Sequence, residues 1–219
     1  MTTEATVPFN RDAVLAQAKL NQEPEWLIQL RVEALELAQT LAYPKLEKTN
    51  INRWELDRYG EYTRSESQIS VEQLPDIVRE YLSSEDESSL LVQQDSSVVY
   101  EKLAKEYADQ GVIFTDLQTA AIEHSELVKP YLTEAIKKDE NKLTALHTAL
   151  WSGGVFLYVP RNVEIKVPMQ ALFLTDEHAL FAPHILIVAE ENSSVTYVDN
   201  YLSLKQETNG HVQDRKSVV

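Results

Sequence analysis

The pattern of the sequence changes within residues 151–160, which read Trp151-Ser-Gly-Gly-Val-Phe-Leu-Tyr-Val-Pro160. From the glycine pair onward, β-branched and aromatic residues concentrate in short runs at 155–159, 163–167, 169–174, 184–188 and 195–198. Proline and polar residues separate these runs, a pattern typical of β-strands. The connections are too short for crossover helices, so an antiparallel sandwich and a parallel β-helix both stay open, although no fixed-period repeat is visible.

The part of the chain before Ser152 is predicted to be mainly helical, which gives an α+β fold with domains 1–151 and 152–219. Two helices are expected between residues 10 and 41, with a break near Asn21-Gln22-Glu23, and Pro24 suits the first turn of the second helix. The apolar residues of that second helix recur at spacings of three and four, which places on one face Leu27, Leu30, Ala34, Leu37 and Leu41.

Shorter elements are expected between this helix and Trp151. The sequence predicts a loop over residues 45–89 and a β-hairpin over 90–100. A helical turn closed by Gly111 and a brief strand at 112–114 follow, and helical spacing then returns from Asp116.

The composition excludes several classes of function. The 219 residues include 35 acidic and 20 basic side chains, and the formal charge of −15 repels nucleic acids and anionic membranes. No apolar run reaches the roughly 18–20 residues that span a bilayer, and the N-terminus lacks the features of a signal peptide, so the expected location is cytoplasmic. The absence of cysteine excludes disulfides and thiolate ligands within this chain.

The sequence offers few candidates for a chemical site. Neither a dinucleotide-binding glycine motif nor a P-loop is present. His178 and His184, with Asp176 and Glu177, form the best metal-like cluster and suit zinc or iron, but a surface loop is the favoured interpretation. The remaining histidines show no helical pairing and are His124, His147 and His211.

Two further groups of residues have a structural and a functional interpretation. Asp199-Asn200-Tyr201 is interpreted as a turn rather than as the lining of a ligand-binding groove, because Asp and Asn tolerate tight backbone geometry. The three tryptophans are interpreted first as packing anchors, although they could also stack on a ligand: Trp26, Trp54 and Trp151.

Four stretches of the sequence together resemble one known family. They are Pro44-Lys-Leu-Glu-Lys-Thr49 with Arg53-Trp54; Gly111-Val-Ile-Phe-Thr-Asp116; Asn141-Lys-Leu-Thr-Ala-Leu-His147 with 151–160 and Val167-Pro-Met-Gln170; and Ile185-Leu-Ile-Val-Ala-Glu190 with Ser193-Ser-Val-Thr-Tyr-Val198. In this order they resemble the SufB/SufD family of the SUF iron–sulfur cluster assembly system, from residue 27 to the end. Within it the chain is similar to the SufD type, because SufB-type chains usually carry a cysteine soon after the strand equivalent to 195–198, where this chain has Asp199-Asn-Tyr-Leu-Ser203.

The resemblance implies an N-terminal helical domain followed by a right-handed parallel β-helix, of which this chain holds the first rungs. It also implies a non-enzymatic scaffold subunit that acts with SufB-like proteins and SufC-like ATPases, with the iron–sulfur cluster held by the assembled complex and no cofactor held by this chain. None of the family's functional positions maps onto residues 1–219, so no catalytic, cofactor-binding or metal-binding residue is carried over.

Two other functions fit the residues taken alone. One is a β-helical carbohydrate-active enzyme, which would use Asp and Glu side chains converging beside a cleft. The other is a metal carrier that uses His178 and His184 with the neighbouring carboxylates. The open end of a truncated β-helix is also expected to make the chain self-associate.

Overall fold

A computed structural model of the chain describes residues 10–51, 54, 56, 62, 70–76, 78–79, 89–175 and 180–203. The α-helices among these residues are α1 (Arg11–Leu20), α2 (Glu25–Thr40), α3 (Lys105–Ala108), α4 (Leu117–Glu123), α5 (Ser125–Val128) and α6 (Lys142–Leu150), and a short 3-10 helix spans Val71–Gln73. The strands are β1 (Leu90–Gln94), β2 (Ser97–Lys102), β3 (Ile113–Asp116), β4 (Gly154–Val159), β5 (Met169–Thr175), β6 (His184–Ala189) and β7 (Tyr197–Ser203). The predicted α+β class is therefore confirmed.

Contacts divide the described residues into two compact units. A helical unit combines residues from 1–59 with 121–151, and a sheet unit combines residues from 60–120 with 152–210. The chain passes from one unit to the other between Trp151 and Ser152, where the sequence pattern changes. The division into domains 1–151 and 152–219 stays a prediction.

In the helical unit, the two predicted N-terminal helices are confirmed. The side chain of Asn10 caps α1 by accepting a hydrogen bond of 2.8 Å from the backbone N–H of Ala13. Gln22, at the predicted break, has a φ of 55°. The core of this unit is formed by α1, α2 and α6 and comprises Val14, Ala34, Leu35, Ala38, Ala145, Leu146, Ala149 and Leu150.

The buried face of α2 differs from the predicted one. Leu30 and Leu37 are only partly buried, whereas Arg31 is buried. The reason is that Arg31 satisfies its charge inside the protein, so the buried stripe is rotated towards it and comprises Leu27, Arg31, Ala34, Leu35 and Ala38.

The sheet unit contains two mixed sheets. A four-stranded sheet has the order β2-β1-β5-β7, and a three-stranded sheet has the order β3-β4-β6. The β1–β2 and β3–β4 pairs are antiparallel, whereas β1–β5, β5–β7 and β4–β6 are parallel. The antiparallel sandwich is therefore wrong, and the predicted hairpin is confirmed as β1 and β2.

The last four strands alternate between the two sheets. Gly154 of β4 pairs with His184 of β6, so that register joins residues 30 positions apart. Met169 of β5 pairs with Tyr197 of β7, 28 positions later. The predicted strand at 163–167 is reduced to an isolated parallel bridge between Glu164 and Ser194, because prolines flank it on both sides.

The two sheets share one apolar core. Val155 and Leu157 of β4 and Met169 and Phe173 of β5 belong to a single buried cluster, together with Phe114 of β3. More than half of the predicted loop at 45–89 lies outside the described residues, and within its described part Val71–Gln73 forms a short 3-10 helix instead. None of the helices in the described part of the chain has the length and apolar character needed to cross a membrane.

Candidate functional site

The strands β6 and β7 end the two sheets on the same side of the shared core. β6 is the last strand of the three-stranded sheet and β7 is the last strand of the four-stranded sheet. Residues 190–196 connect them. We call β6, this connection and β7 the terminal edge. Among the described residues, no further strand pairs with its outer side.

The terminal edge is apolar and partly open to solvent. Leu157 of β4 is fully buried, but its register partner Ile187 in β6 is 39% exposed. Val198 in β7 is 38% exposed, and Ile185 is partly buried against the core. Unpaired backbone beside exposed apolar side chains is a template for adding another strand.

A buried glutamine and two glycines allow β6 to lie close to β4. The Gln93 side-chain amide donates to the carbonyls of Asp95 (2.8 Å) and Ser152 (3.2 Å), and its oxygen accepts from the N–H of Gly154 (2.7 Å). A Cβ on Gly153 would lie 2.5 Å from Gln93 Oε1, and a Cβ on Gly154 would lie 2.0 Å from the backbone oxygen of His184. The glycine pair is therefore required by packing at the start of β4.

The segment that leads into β6 is fixed by two hydrogen bonds. The Ser96 hydroxyl, in the β1–β2 turn, donates to the carbonyl of Leu180 at 2.6 Å. The backbone N–H of Ser152 donates to the carbonyl of Ala182 at 3.0 Å. The start of the terminal edge is thus held by residues that precede β4.

The bends after β4 and β6 have matching geometry. Asn162 and Asn192 both have a φ of 63°, and the Asn192 side-chain amide donates to Asn162 Oδ1 at 2.9 Å. Beside them, Arg161 and Glu191 form an exposed ion pair of 2.8 Å. Asparagine tolerates this left-handed conformation, so each bend can lie directly on the other.

Asp199-Asn200-Tyr201 forms part of strand β7, and its interpretation as a turn is wrong. The Tyr201 hydroxyl donates to Asp199 Oδ2 at 3.0 Å. The Tyr201 ring stacks on Phe173, with centroids 4.9 Å apart, and meets the edge of Phe181 at 6.1 Å. Parallel pairing with β5 therefore continues the four-stranded sheet through Asp199-Asn200-Tyr201 instead of ending it in a turn.

The predicted metal cluster is described only in part. Asp176, Glu177 and His178 lie outside the described residues, and His184 is the first residue of β6. Within the described portion of the chain, no group of three or more His, Cys, Asp or Glu side chains could hold a metal ion. His124 precedes α5 and His147 lies in α6, whereas His211 is not described.

Two of the three tryptophans pack as predicted. Trp151 is 2% exposed, and the guanidinium carbon of Arg31 lies 4.3 Å from the centroid of its ring. Trp26 is partly buried, and its indole N–H donates to the Ser125 hydroxyl at 3.0 Å. Trp54 is 47% exposed, so its interpretation as a packing anchor is wrong.

Sequence reasoning missed a buried ion pair in the helical unit. Arg31 contacts both carboxylate oxygens of Glu23 through Nε (2.7 Å) and Nη2 (3.0 Å). Its Nη1 donates to the carbonyls of Ala149 (3.2 Å) and Trp151 (2.9 Å), at the end of α6. A charged residue within an apolar helical stripe was the available signal, and the pairing makes its burial tolerable.

A second missed group is the carboxyl of Asp116 at the end of β3. Asp116 Oδ1 is buried and has no hydrogen-bond partner among the described residues, whereas Oδ2 accepts from the N–H and hydroxyl of Thr119 at 3.3 and 3.4 Å. Burial raises the pKa of Asp116 to about 6, and the negative charge of Glu101 acts in the same direction. The sequence gives no sign of this burial.

A shallow hollow of about 390 Å³ lies on the helical unit. It is lined by Glu33, Glu36, Leu37, Thr40 and Lys138. Lys138 forms an ion pair with Glu33, and its hydrogen bond lowers the pKa of the Glu33 carboxyl. With one of its two carboxylates paired to a lysine, this hollow gives no support to acid–base cleavage of a carbohydrate.

Comparison with known proteins identifies relatives of the chain. Residues 16–171 match the family model described as the SufBD protein N-terminal region. The chain is 44% identical over 208 residues to the iron-sulfur cluster assembly protein SufD of Bacillus subtilis, a match that covers 93% of this chain and 47% of that protein.

Two further relatives carry the SufBD family name. The chain is 33% identical over 197 residues to a protein of Staphylococcus haemolyticus, covering 83% of this chain and 41% of the relative. It is 34% identical over 193 residues to a protein of Pyrococcus horikoshii, a match that covers 83% of this chain and 43% of the relative. The chain thus spans less than half the length of these relatives. The resemblance inferred from sequence motifs is confirmed, and the chain belongs to the SufBD family of iron–sulfur cluster assembly proteins.

Proposed function

We propose that this chain is the N-terminal part of a SufD-type scaffold subunit, which supports iron–sulfur cluster assembly and is not itself an enzyme. Membership of the SufBD family and the similarity to a protein named SufD support the assignment. The structural observation that carries it is the terminal edge, because a broad apolar strand edge suits assembly with further protein.

We infer that β4 to β7 are the first rungs of a right-handed parallel β-helix. The strands β4 to β7 alternate between two sheets, and β4 and β5 each pair in parallel with the second strand after them. The 28- and 30-residue steps and the paired bends at Asn162 and Asn192 support such stacking. In a solenoid each coil contacts only its neighbours, which explains one apolar core running between two sheets.

The two ends of the stack are unequal. Before β4 and β5, the sheets are closed by the antiparallel strands β3 and β2, and β2 ends in Glu101 and Lys102. Short antiparallel strands and charged residues protect a sheet edge. At the terminal edge, apolar side chains are half exposed instead. We therefore propose that further coils of a longer protein add at the terminal edge, where this chain by itself is expected to self-associate.

The partners that we propose are a SufB-like protein and a SufC-like ATPase in the cytoplasm. The relatives matched here are named as iron–sulfur cluster assembly proteins, which supports a role within a complex. The iron–sulfur cluster is the cargo of that complex, and no residue of this chain is assigned to it. No observation favours the carbohydrate-active or metal-carrier alternatives over this role.

A chimera tests the proposal in cells. Residues 1–203 of this chain would replace the matched region of Bacillus subtilis SufD, in cells depleted of their own SufD. We expect the chimera to restore the activity of iron–sulfur enzymes and to co-purify with the SufB-type and SufC-type proteins. A matched chimera carrying Gly154→Ala should fail, because β6 could not approach β4.

The same chimera can also contradict the proposed function. If the unsubstituted chimera accumulates as a folded protein but restores no iron–sulfur enzyme activity and retains no partner, the proposed function is wrong.

A further inference from the structure

The segment 89–116 occupies the place that an earlier coil would take. β4 and β5 form the first proposed coil, and β6 and β7 form the second. The N–H of Glu190 in the second coil donates to the carbonyl of Val159 in the first, and the N–H of Ser194 donates to the carbonyl of Val163, both at 3.0 Å. On its other side the first coil pairs with segment 89–116, through β3 with β4 and through β1 with β5.

The bend of the first coil carries a proline where the bend of the second coil carries a glutamate. Pro160 and Glu190 are 30 positions apart, as are the paired residues Gly154 and His184. Glu190 uses its N–H to bond the first coil, whereas proline has no backbone N–H and needs no acceptor. A Cβ on Gly111 would lie 3.5 Å from Pro160 Cγ, so segment 89–116 lies close to the proline ring.

Gln93 supplies an acceptor at the start of β4. β3 pairs with β4 as far as Val155, opposite Asp116, and α4 begins at the next residue, Leu117. The N–H of Gly154, one residue beyond the last pair, donates to Gln93 Oε1 at 2.7 Å. Gln93 is fully buried and belongs to β1 in the four-stranded sheet, so its side chain reaches from one sheet to the other.

Tyr107 supplies an acceptor further along the first coil. The N–H of Val167 donates to the Tyr107 hydroxyl at 3.2 Å. By contrast, the N–H of Ile165 donates to the carbonyl of Ser194 in the second coil at 2.8 Å. Tyr107 lies in α3 and is buried in the core cluster of the sheet unit, so its ring is held by packing. Side chains of segment 89–116 thus bond backbone groups of the first coil at two separate places.

We propose that segment 89–116 is an N-terminal cap in which Gln93 and Tyr107 replace the backbone acceptors of an earlier coil. The inference rests on the coil stack proposed above. Buried N–H groups require an acceptor, and a solenoid needs a terminal unit that closes its first repeat. The start of the stack is then closed to strands of other proteins, so assembly partners bind elsewhere on the protein.

The role of Gln93 is tested by urea denaturation of Gln93→Glu and Gln93→Met. Near pH 4 a buried glutamic acid is protonated, and it keeps an acceptor for Gly154 and one donor, whereas methionine fills a similar volume without them. We expect the folding equilibrium constant of Gln93→Glu near pH 4 to be at least about tenfold larger than that of Gln93→Met. This advantage should be lost near pH 8, where the carboxylate would be charged.

The role of Tyr107 is tested by amide hydrogen exchange of the 219-residue chain, followed by NMR. Tyr107→Phe removes the hydroxyl and keeps the ring, so exchange of the Val167 amide should accelerate at least about tenfold relative to that of the Ile165 amide. A general loss of stability would accelerate both amides equally. Tyr131→Phe, at an exposed tyrosine, is the matched control and should leave the ratio of the two rates unchanged.

The proposal is overturned if Gln93→Met is at least as stable as Gln93→Glu near pH 4, because packing alone would then explain the glutamine. It is also overturned if Tyr107→Phe leaves the ratio of the Val167 and Ile165 exchange rates unchanged. The Tyr107→Phe measurement decides the matter if the Gln93 variants do not fold. Neither measurement needs a partner protein, so failure of the cap is distinguishable from failure of the chimera.

Discussion

At the scale of single residues, Gly154 sets how closely the two parallel strands β4 and β6 approach. Its φ is 104°, and a Cβ there would lie 2.0 Å from the backbone oxygen of His184. The obstacle is backbone rather than a flexible side chain, so it cannot move aside without breaking the pairing.

Gly154→Ala should lower the free energy of unfolding by more than about 4 kcal/mol, measured by urea denaturation. Gly111→Ala is a matched control, because Gly111 also has a positive φ, of 83°, but among the described residues its Cβ would meet only Pro160 Cγ at 3.5 Å. The control should cost about 1–2 kcal/mol from backbone strain alone. Equal losses for the two variants would contradict the proposed close approach.

Asp116 makes the stability of the chain depend on pH. Its pKa is raised from 3.8 to about 6 in the folded protein, so between these values the folded state binds more protons than the unfolded state. The contribution of Asp116 to stability is therefore largest below pH 3.8 and is lost as the pH rises through 6.

Asp116→Asn should raise the free energy of unfolding at pH 7 by up to about 3 kcal/mol, because no charge is then buried. The advantage should shrink as the pH falls from 6 to 4, where Asp116 itself becomes protonated. Denaturation at several pH values checks this, with the exposed Asp109→Asn as the control. An Asp116→Asn effect that is constant from pH 4 to 7 would show that the charge of Asp116 is not responsible.

At the scale of elements, Arg31 connects three parts of the helical unit. It pairs with Glu23 in the break between α1 and α2, and it binds two carbonyls at the end of α6. The arginine also neutralises the partial negative charge at that helix end. A buried charge without its partner is unfavourable, so the pair acts as a unit.

Arg31→Met should lower the free energy of unfolding by roughly 3–5 kcal/mol, because it leaves the Glu23 carboxylate buried without its counter-charge. The double variant with Glu23→Leu should lose less than Arg31→Met alone. Urea denaturation of both variants gives the coupling, and Arg11→Met, on the exposed part of α1, should have little effect. A double variant less stable than Arg31→Met would contradict the account.

The sequence predicted those elements whose local pattern agrees with their environment. The hairpin at 90–100 and the runs that became β4, β5 and β6 were found because each combines β-formers with bounding turn residues. The run at 163–167 failed because its flanking prolines allow only one bridge. Asp199-Asn200-Tyr201 was misread because turn propensity is weak evidence against parallel pairing supplied by a distant strand.

The candidate site was harder to predict than the strands. The position of the terminal edge depends on which strands pair with each other, and no residue type in the sequence indicates that pairing. Burial of Arg31 likewise depends on a partner that folds beside it, Glu23, which is eight positions earlier in the chain. The spacing of about 30 residues between paired strands is not visible in the sequence. Asn162 and Asn192 share a backbone conformation, but the residues around them differ.

At the scale of the whole molecule, the bend after β4 and the bend after β6 stack on each other in parallel. Glu164 and Ser194 meet in a parallel bridge, 30 residues apart. The chain contains no cysteine, so an introduced pair reports on this register without interference. A disulfide requires Cα atoms within about 7 Å, which suits paired neighbours and excludes residues two positions further along.

The most direct measurement is therefore the yield of disulfide cross-linking in the double variants Glu164→Cys/Ser194→Cys and Glu164→Cys/Thr196→Cys. We expect the first pair to cross-link nearly completely under mild oxidation and the second pair to remain reduced. Cross-linking of the second pair in preference to the first, or of neither in a folded chain, would contradict stacked parallel coils.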